Sequence, residues 1–170
     1  MKHPKSELYA GLIPTFEAKN ANGFASELQV LARSVENNEE LSIVLKNYES
    51  LLNAITQNEE NVNNISHTIE NKITLAKALL EIAADEYALG IINGDVVNIY
   101  EYQDALGFTT VAKNILKEAN SLTSLEEVKR NKVIAIIESL SPLWLSLVPT
   151  EKINGDAIKI LTAVSKINSL

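Results

Sequence analysis

Residues 62–87 read VNNISHTIENKITLAKALLEIAADEY, with apolar side chains at Val62, Ile65, Ile69, Ile73, Ala76, Leu80, Ala83 and Tyr87. Their steps of three and four average close to the helical repeat, so a single α-helix gathers all of them on one face, whereas a strand would alternate. Just before, residues 39–57 read EELSIVLKNYESLLNAITQ and draw a second stripe through Leu41, Val44, Leu45, Tyr48, Leu51, Leu52 and Ile55. Two amphipathic helices in succession, parted by the polar Gln57-Asn58-Glu59, decide the fold class.

The same periodicity extends outward from this pair. Thr15 to about Glu36 carries Phe16, Phe24, Leu28, Leu31 and Val35, with Gly23 a point where a helix bends or breaks. Glu101 to Ala119 carries Tyr102, Ala105, Thr109, Ala112, Leu116 and Ala119. Ser124-Leu125-Glu126-Glu127 reads as a helix start, a serine cap with acids in the first turn, followed by the stripe Leu125, Val128, Lys132, Ile136 and Leu140. Pro142 should kink or end that helix near Ser141, because it lacks an N–H and clashes with the preceding turn. A short last helix from Asp156 turns Ile160, Leu161, Val164 and Ile167 inward. Breaks fall at Glu36-Asn37-Asn38, at Asn93-Gly94-Asp95, where Asn-Gly accepts positive φ, and around Pro149 and Asn154-Gly155. Short connections between long helices make neighbours antiparallel. The expected fold is all-α, an up-and-down helical bundle of four main helices with extra short helices, forming one domain over residues 1–170.

Composition supports that reading and narrows the function classes. Of 170 residues, 46% are hydrophobic and 22% charged, a globular balance, and only six glycines and four prolines are present, too few for the turns of an all-β fold. A net charge of -7 disfavours nucleic acid and anionic lipid, which demand clustered Lys and Arg. With no cysteine, the chain has no thiolate zinc site, iron–sulfur cluster or disulfide. Met1-Lys2-His3-Pro4-Lys5-Ser6-Glu7 has basic residues without an apolar stretch behind them, so the chain reads as cytosolic or as a mature form whose signal has been removed.

The candidate chemistry lies in carboxylates. His67 and Glu70 stand three residues apart, a spacing used in carboxylate-bridged metal bundles, but the second such motif is missing and a solvated face is favoured. Glu81, Asp85 and Glu86 close one helix, while Glu101 and Asp104 open the next. An antiparallel pair could bring the two groups together around a hard, oxygen-preferring cation, although exposed acids that merely solvate helices are the commoner case. Asp95 sits beside Gly94 without the alternating acids of an EF-hand, and the sequon Asn64-Ile65-Ser66 falls inside a helical stretch. No nucleophile elbow, phosphate-binding glycine loop or triad is present, so nothing nominates an enzyme.

From Asp85 to Phe108 the order is Glu86-Tyr87, Asn93-Gly94-x-Val96-Val97-Asn98, Glu101-Tyr102-x-Asp104 and Phe108. This resembles the helix–loop–helix in the extracytoplasmic helical region of some bacterial high-affinity iron permeases of the oxidase-dependent type. Asn93 replaces the family's usual acid, Asp104 replaces glutamate, and Gly107 stands where another acid is common. The resemblance implies a periplasmic or otherwise extracytoplasmic, non-catalytic domain that binds or delivers a metal ion, iron foremost, or docks on a membrane permease; a cytoplasmic location is the alternative. Glu86, Glu101 and Asp104 carry over as metal ligands, and Tyr87, Tyr102 and Phe108 as packing residues. No resident cofactor follows beyond that iron or similar cation.

Two other readings compete. A structural or protein-interaction module would expose an apolar patch, with Leu143, Trp144, Leu145 and Leu147 its expected members. A small-molecule sensor would need a cavity between helices.

Overall fold

The computed structural model describes residues 9–62, 68–120 and 122–170. The chain is all-α, as expected. Its order is α1 (Ala10–Ala18), α2 (Ala25–Glu36), α3 (Leu41–Val62), α4 (Ile69–Gly90), a hairpin of β1 (Ile91–Ile92) and β2 (Asp95–Val96), α5 (Ile99–Lys117), α6 (Ser124–Glu138), a 3-10 turn (Ser141–Leu143) and α7 (Ala157–Asn168). Where one domain is expected over 1–170, the contacts gather into two compact units, residues 1–65 and 66–170.

The first unit is small. The stretch from Thr15 to Glu36 breaks before α2 around Gly23, the point where a bend or break is expected, and Gly23 takes a φ of +69°. A Cβ there would strike the Tyr9 hydroxyl. Tyr9, Phe16 and Phe24 form a ring cluster with centroids 5.0 to 5.8 Å apart. The expected break at Gln57-Asn58-Glu59 is absent, and α3 runs through it to Val62. Asn58 is buried: its Oδ1 accepts from Gly23 N at 2.7 Å and its Nδ2 donates to Gly23 O at 2.9 Å. The amide serves a neighbouring backbone instead of a local turn. The expected α3 stripe is also only partly inward. Leu51 is buried and Val44 half-buried, but Leu41, Leu45, Tyr48 and Leu52 are exposed, because the row that meets α1 and α2 is Val44, Leu51, Ala54 and Asn58.

The second unit is a four-helix bundle. α4 buries Ile69, Ile73, Ala76, Leu80, Ala83, Ala84 and Tyr87, nearly the stripe read from sequence; Ile65 and His67 lie outside the described residues. α5 buries Tyr102, Ala105, Thr109, Ala112 and Leu116 at alternating steps of three and four. α4 packs on α5, α6 and α7, and α5–α6 and α6–α7 complete the ring. Alanines at 76, 83, 105 and 112, all fully or nearly fully buried, let α4 and α5 approach closely, while Leu80 and Leu116 fill the layers between. Each such leucine stabilises the fold by roughly 1.5–3 kcal/mol over leaving it in water.

Two expected details shift here. The cap of α6 is Thr123 rather than Ser124: its Oγ1 accepts from Glu126 N, and Glu126 reaches back to Thr123 N at 2.8 Å, a complete capping box. α6 turns Val133 and Ile137 inward, one position round from the expected Lys132 and half-buried Ile136, leaving Leu125, Val128 and Lys132 in solvent, while Leu140, just past the helix, is buried as expected. In α7, capped by Asp156, Ile160, Val164 and Ile167 point inward as read, but Ala163 takes the place expected for Leu161. Among the described residues no helix is long and apolar enough to cross a membrane.

Candidate functional site at the helix–loop–helix

The stretch from Asp85 to Phe108 is the end of α4, the hairpin and the start of α5. Asn93 and Gly94 take φ of +53° and +83°, the paired positive values that suit a two-residue hairpin turn, and Ile91 and Ile92 pair with Val96 and Asp95. The Gly90 carbonyl then accepts from Val97 N at 2.9 Å and Asn98 N at 3.2 Å, which folds the chain back onto the helix end. Asn98 caps α5 by accepting from Tyr100 N at 3.2 Å. Gly90 has no side chain for a reason: a Cβ would stand 2.7 Å from Tyr102 N and 3.0 Å from Tyr102 Cα.

Tyr87 and Tyr102 are fully buried, their rings 6.3 Å apart. Tyr87 Oη donates to Leu143 O at 3.3 Å and Tyr102 Oη to Ser146 O at 2.9 Å. Burial pushes the Tyr87 phenol up to about 12, helped by the neighbouring Tyr102 and Asp156, and burial raises Tyr102 as well. Trp144 stacks edge-on to Tyr87 at 5.6 Å and donates Nε1 to Tyr102 O at 3.3 Å. Gln103 Nε2 reaches Leu147 O at 2.9 Å, Ile153 N donates to Gly94 O at 2.9 Å, and Lys152 pairs with Asp95 at 2.8 Å. The segment from Ser141 to Ile153 thus straps the hairpin end of the bundle. Residue spacing did not reveal this strap; its one signal was the apolar run around Trp144.

The carboxylates behave differently from the tyrosines. Glu86 is half-buried, with Oε2 out of reach of solvent, and Glu101 is half-buried with Oε1 3.5 Å from the Asn98 amide. Asp104, Glu81 and Asp85 are exposed. Among the described residues no three Asp, Glu or His side chains converge where they could hold one metal ion. Asp95 is engaged by Lys152. Glu70 is exposed, while its candidate partner His67 and the sequon Asn64-Ile65-Ser66 lie outside the described residues.

The expected apolar patch is divided. Leu143 is buried and Trp144 half-buried, whereas Leu145 and Leu147 are exposed, as are Leu89, Ile92, Val97 and Tyr100 around the hairpin. As for the cavity a small-molecule sensor would need, one open groove of about 340 Å³ lies between α5 and α6, lined by Leu106, Thr109, Lys113, Ile137, Glu138 and Trp144.

No curated protein and no solved structure matches the chain. The model of the iron permease-associated 4-helix bundle domain matches residues 63–170, nearly the bounds of the second compact unit. With that match spanning most of its length and all four helices of the bundle, the chain belongs to the iron permease-associated four-helix bundle family.

Proposed function

We propose that the chain serves iron uptake as an extracytoplasmic, non-catalytic domain that docks on a membrane permease through the hairpin end of its second unit. The observation that carries this reading is the exposure of Leu89, Ile92, Val97, Tyr100 and Leu147 around the hairpin. Apolar side chains in water on the most firmly strapped part of the bundle suit a partner surface, since solvated faces seldom gather so many. The strap supports the reading too. A hairpin held by Tyr102, Gln103 and Ile153 keeps its shape before contact, which lowers the ordering cost of binding. The test is sedimentation of the full chain with vesicles bearing the permease against vesicles without it. Ile92→Asp with Val97→Asp should cut retention at least tenfold; equal retention on both kinds of vesicle, or by the variant, refutes docking at this end.

A second reading adds contact with the ion. Glu86 and Glu101 are both half-buried on the helices that flank the hairpin, and Asp104 lies one turn beyond Glu101. Carboxylates so placed on an acidic domain suit passing contact with Fe³⁺ or another hard cation rather than a closed resident centre. Calorimetric titration with chelated Fe³⁺, Mn²⁺ and Ca²⁺ checks it: saturable heat that Glu86→Ala or Glu101→Ala weakens at least tenfold is expected, and no heat with any ion removes it.

A further inference from the structure

α3 carries two apolar rows, and the first unit uses one of them. The used row, Val44, Asn47, Leu51, Ala54 and Asn58, is buried or half-buried toward α1 and α2. The other row is Leu41, Leu45, Tyr48 and Leu52, exposed at 72%, 51%, 48% and 43%, and it continues to the half-buried Ile55. Its steps are four, three, four and three. That is the 3.5-residue repeat of a coiled-coil seam, with Leu45 and Leu52 at a and Leu41, Tyr48 and Ile55 at d. A seam of this period fits another helix of the same repeat, knob into hole, along its whole length.

The charges beside the seam choose the partner and its direction. One flank, Val44, Leu51 and Asn58, is taken by the unit's own helices. The open flank bears Lys46 and Glu49 at its middle. A parallel second copy would set this open flank beside the flank that the other copy has already given to α1 and α2, since in a parallel pair the e side of one helix faces the g side of the other. An antiparallel copy sets Leu41 against Leu52 and Leu45 against Tyr48 of the other chain, giving four apolar layers, with Ile55 past the start of the other helix. It also brings Lys46 of each chain within about 3 Å, along the axis, of Glu49 of the other. We propose that α3 is a self-association surface on which a second copy of this chain packs antiparallel, with the Leu41–Leu52 seam supplying affinity and two reciprocal Lys46–Glu49 pairs supplying direction. This self-association does not rest on the docking proposed at the hairpin end.

The experiment is light scattering on the full chain over a range of concentrations at physiological salt. The expected mass is that of two chains. Leu45→Glu with Leu52→Glu, both at exposed positions, should give a single chain with unchanged helical circular dichroism. Lys46→Glu alone and Glu49→Lys alone should each weaken pairing by about threefold or more, and an equal mixture of the two variants should restore it, because each then offers the charge the other needs. A single-chain mass at every concentration overturns the proposal. So does a dimer that survives the double leucine variant, or one lost through Ile92→Asp at the hairpin instead.

Discussion

Tyr87 and Tyr102, 6.3 Å apart between ring centres, leave two neighbouring helices and hydrogen-bond the same strap, at Leu143 O and Ser146 O. A pair of phenols on adjacent helices thereby fastens the segment that follows α6 over the end of the bundle, and the hairpin is held from both sides.

Removing either hydroxyl isolates that fastening. Tyr102→Phe and Tyr87→Phe keep the ring packing and delete one hydrogen bond each, so each should lower unfolding stability by about 1 kcal/mol in urea titrations. Tyr102→Phe should also speed amide exchange at Ile153, whose N–H bonds to Gly94 under the strap. Unchanged exchange there would mean the strap is held by something other than this phenol.

Gly90→Ala tests the close approach of the two helices. In an ordinary helix that change stabilises, but here the new methyl meets Tyr102 N at 2.7 Å, and backbone yields poorly. A loss of about 1–3 kcal/mol is expected by chemical denaturation. A rise in the midpoint would contradict the contact.

The raised phenols predict an alkaline transition. Tyr87 goes from 10.0 to about 12 on folding, so the folded state favours its neutral form. That stability is fully present below the unfolded value and is lost as pH rises from about 10 through 12, with Tyr102 adding in the same direction. For Tyr87 the loss comes to about 3 kcal/mol. Urea midpoints across this range, with tyrosinate absorbance followed alongside, check it, and Tyr87→Phe should flatten the curve.

At the other extreme of pH the sensitive element is the start of α6. Hydrogen bonds from the Thr123 side chain and backbone hold the Glu126 carboxyl below its usual 4.5. A lowered carboxylate contributes stability above its unfolded value and loses it as pH falls through the folded one. Thr123→Ala should therefore lower stability at neutral pH and do so progressively less as the pH falls below 4.5. Parallel unfolding curves of the two proteins at neutral and acid pH give the comparison.

Much of this could be read from residues in order. The α4 stripe from Ile69 to Tyr87, the α5 row from Tyr102 to Leu116 and the positive φ of Asn93-Gly94 are local matters, set by helical periodicity and by what asparagine and glycine tolerate. The family was legible too, because the order Glu86-Tyr87 through Phe108 records contacts that the fold uses: Gly90 against Tyr102, Asn98 on the first turn of α5, Tyr87 and Tyr102 against the strap.

Tertiary structure alone decided which face of a helix is inside when two faces are apolar. On α3 the buried row is the one that offers Asn58 to the Gly23 backbone, and on α6 it is Val133 and Ile137, because neighbours and not hydrophobicity select between adjacent rows. It likewise decided the fates of the acids. Glu86 and Glu101 end half-buried and Asp104 exposed, although Glu101 and Asp104 lie one turn apart on the same face of α5, since only what packs over each turn says what a carboxylate meets.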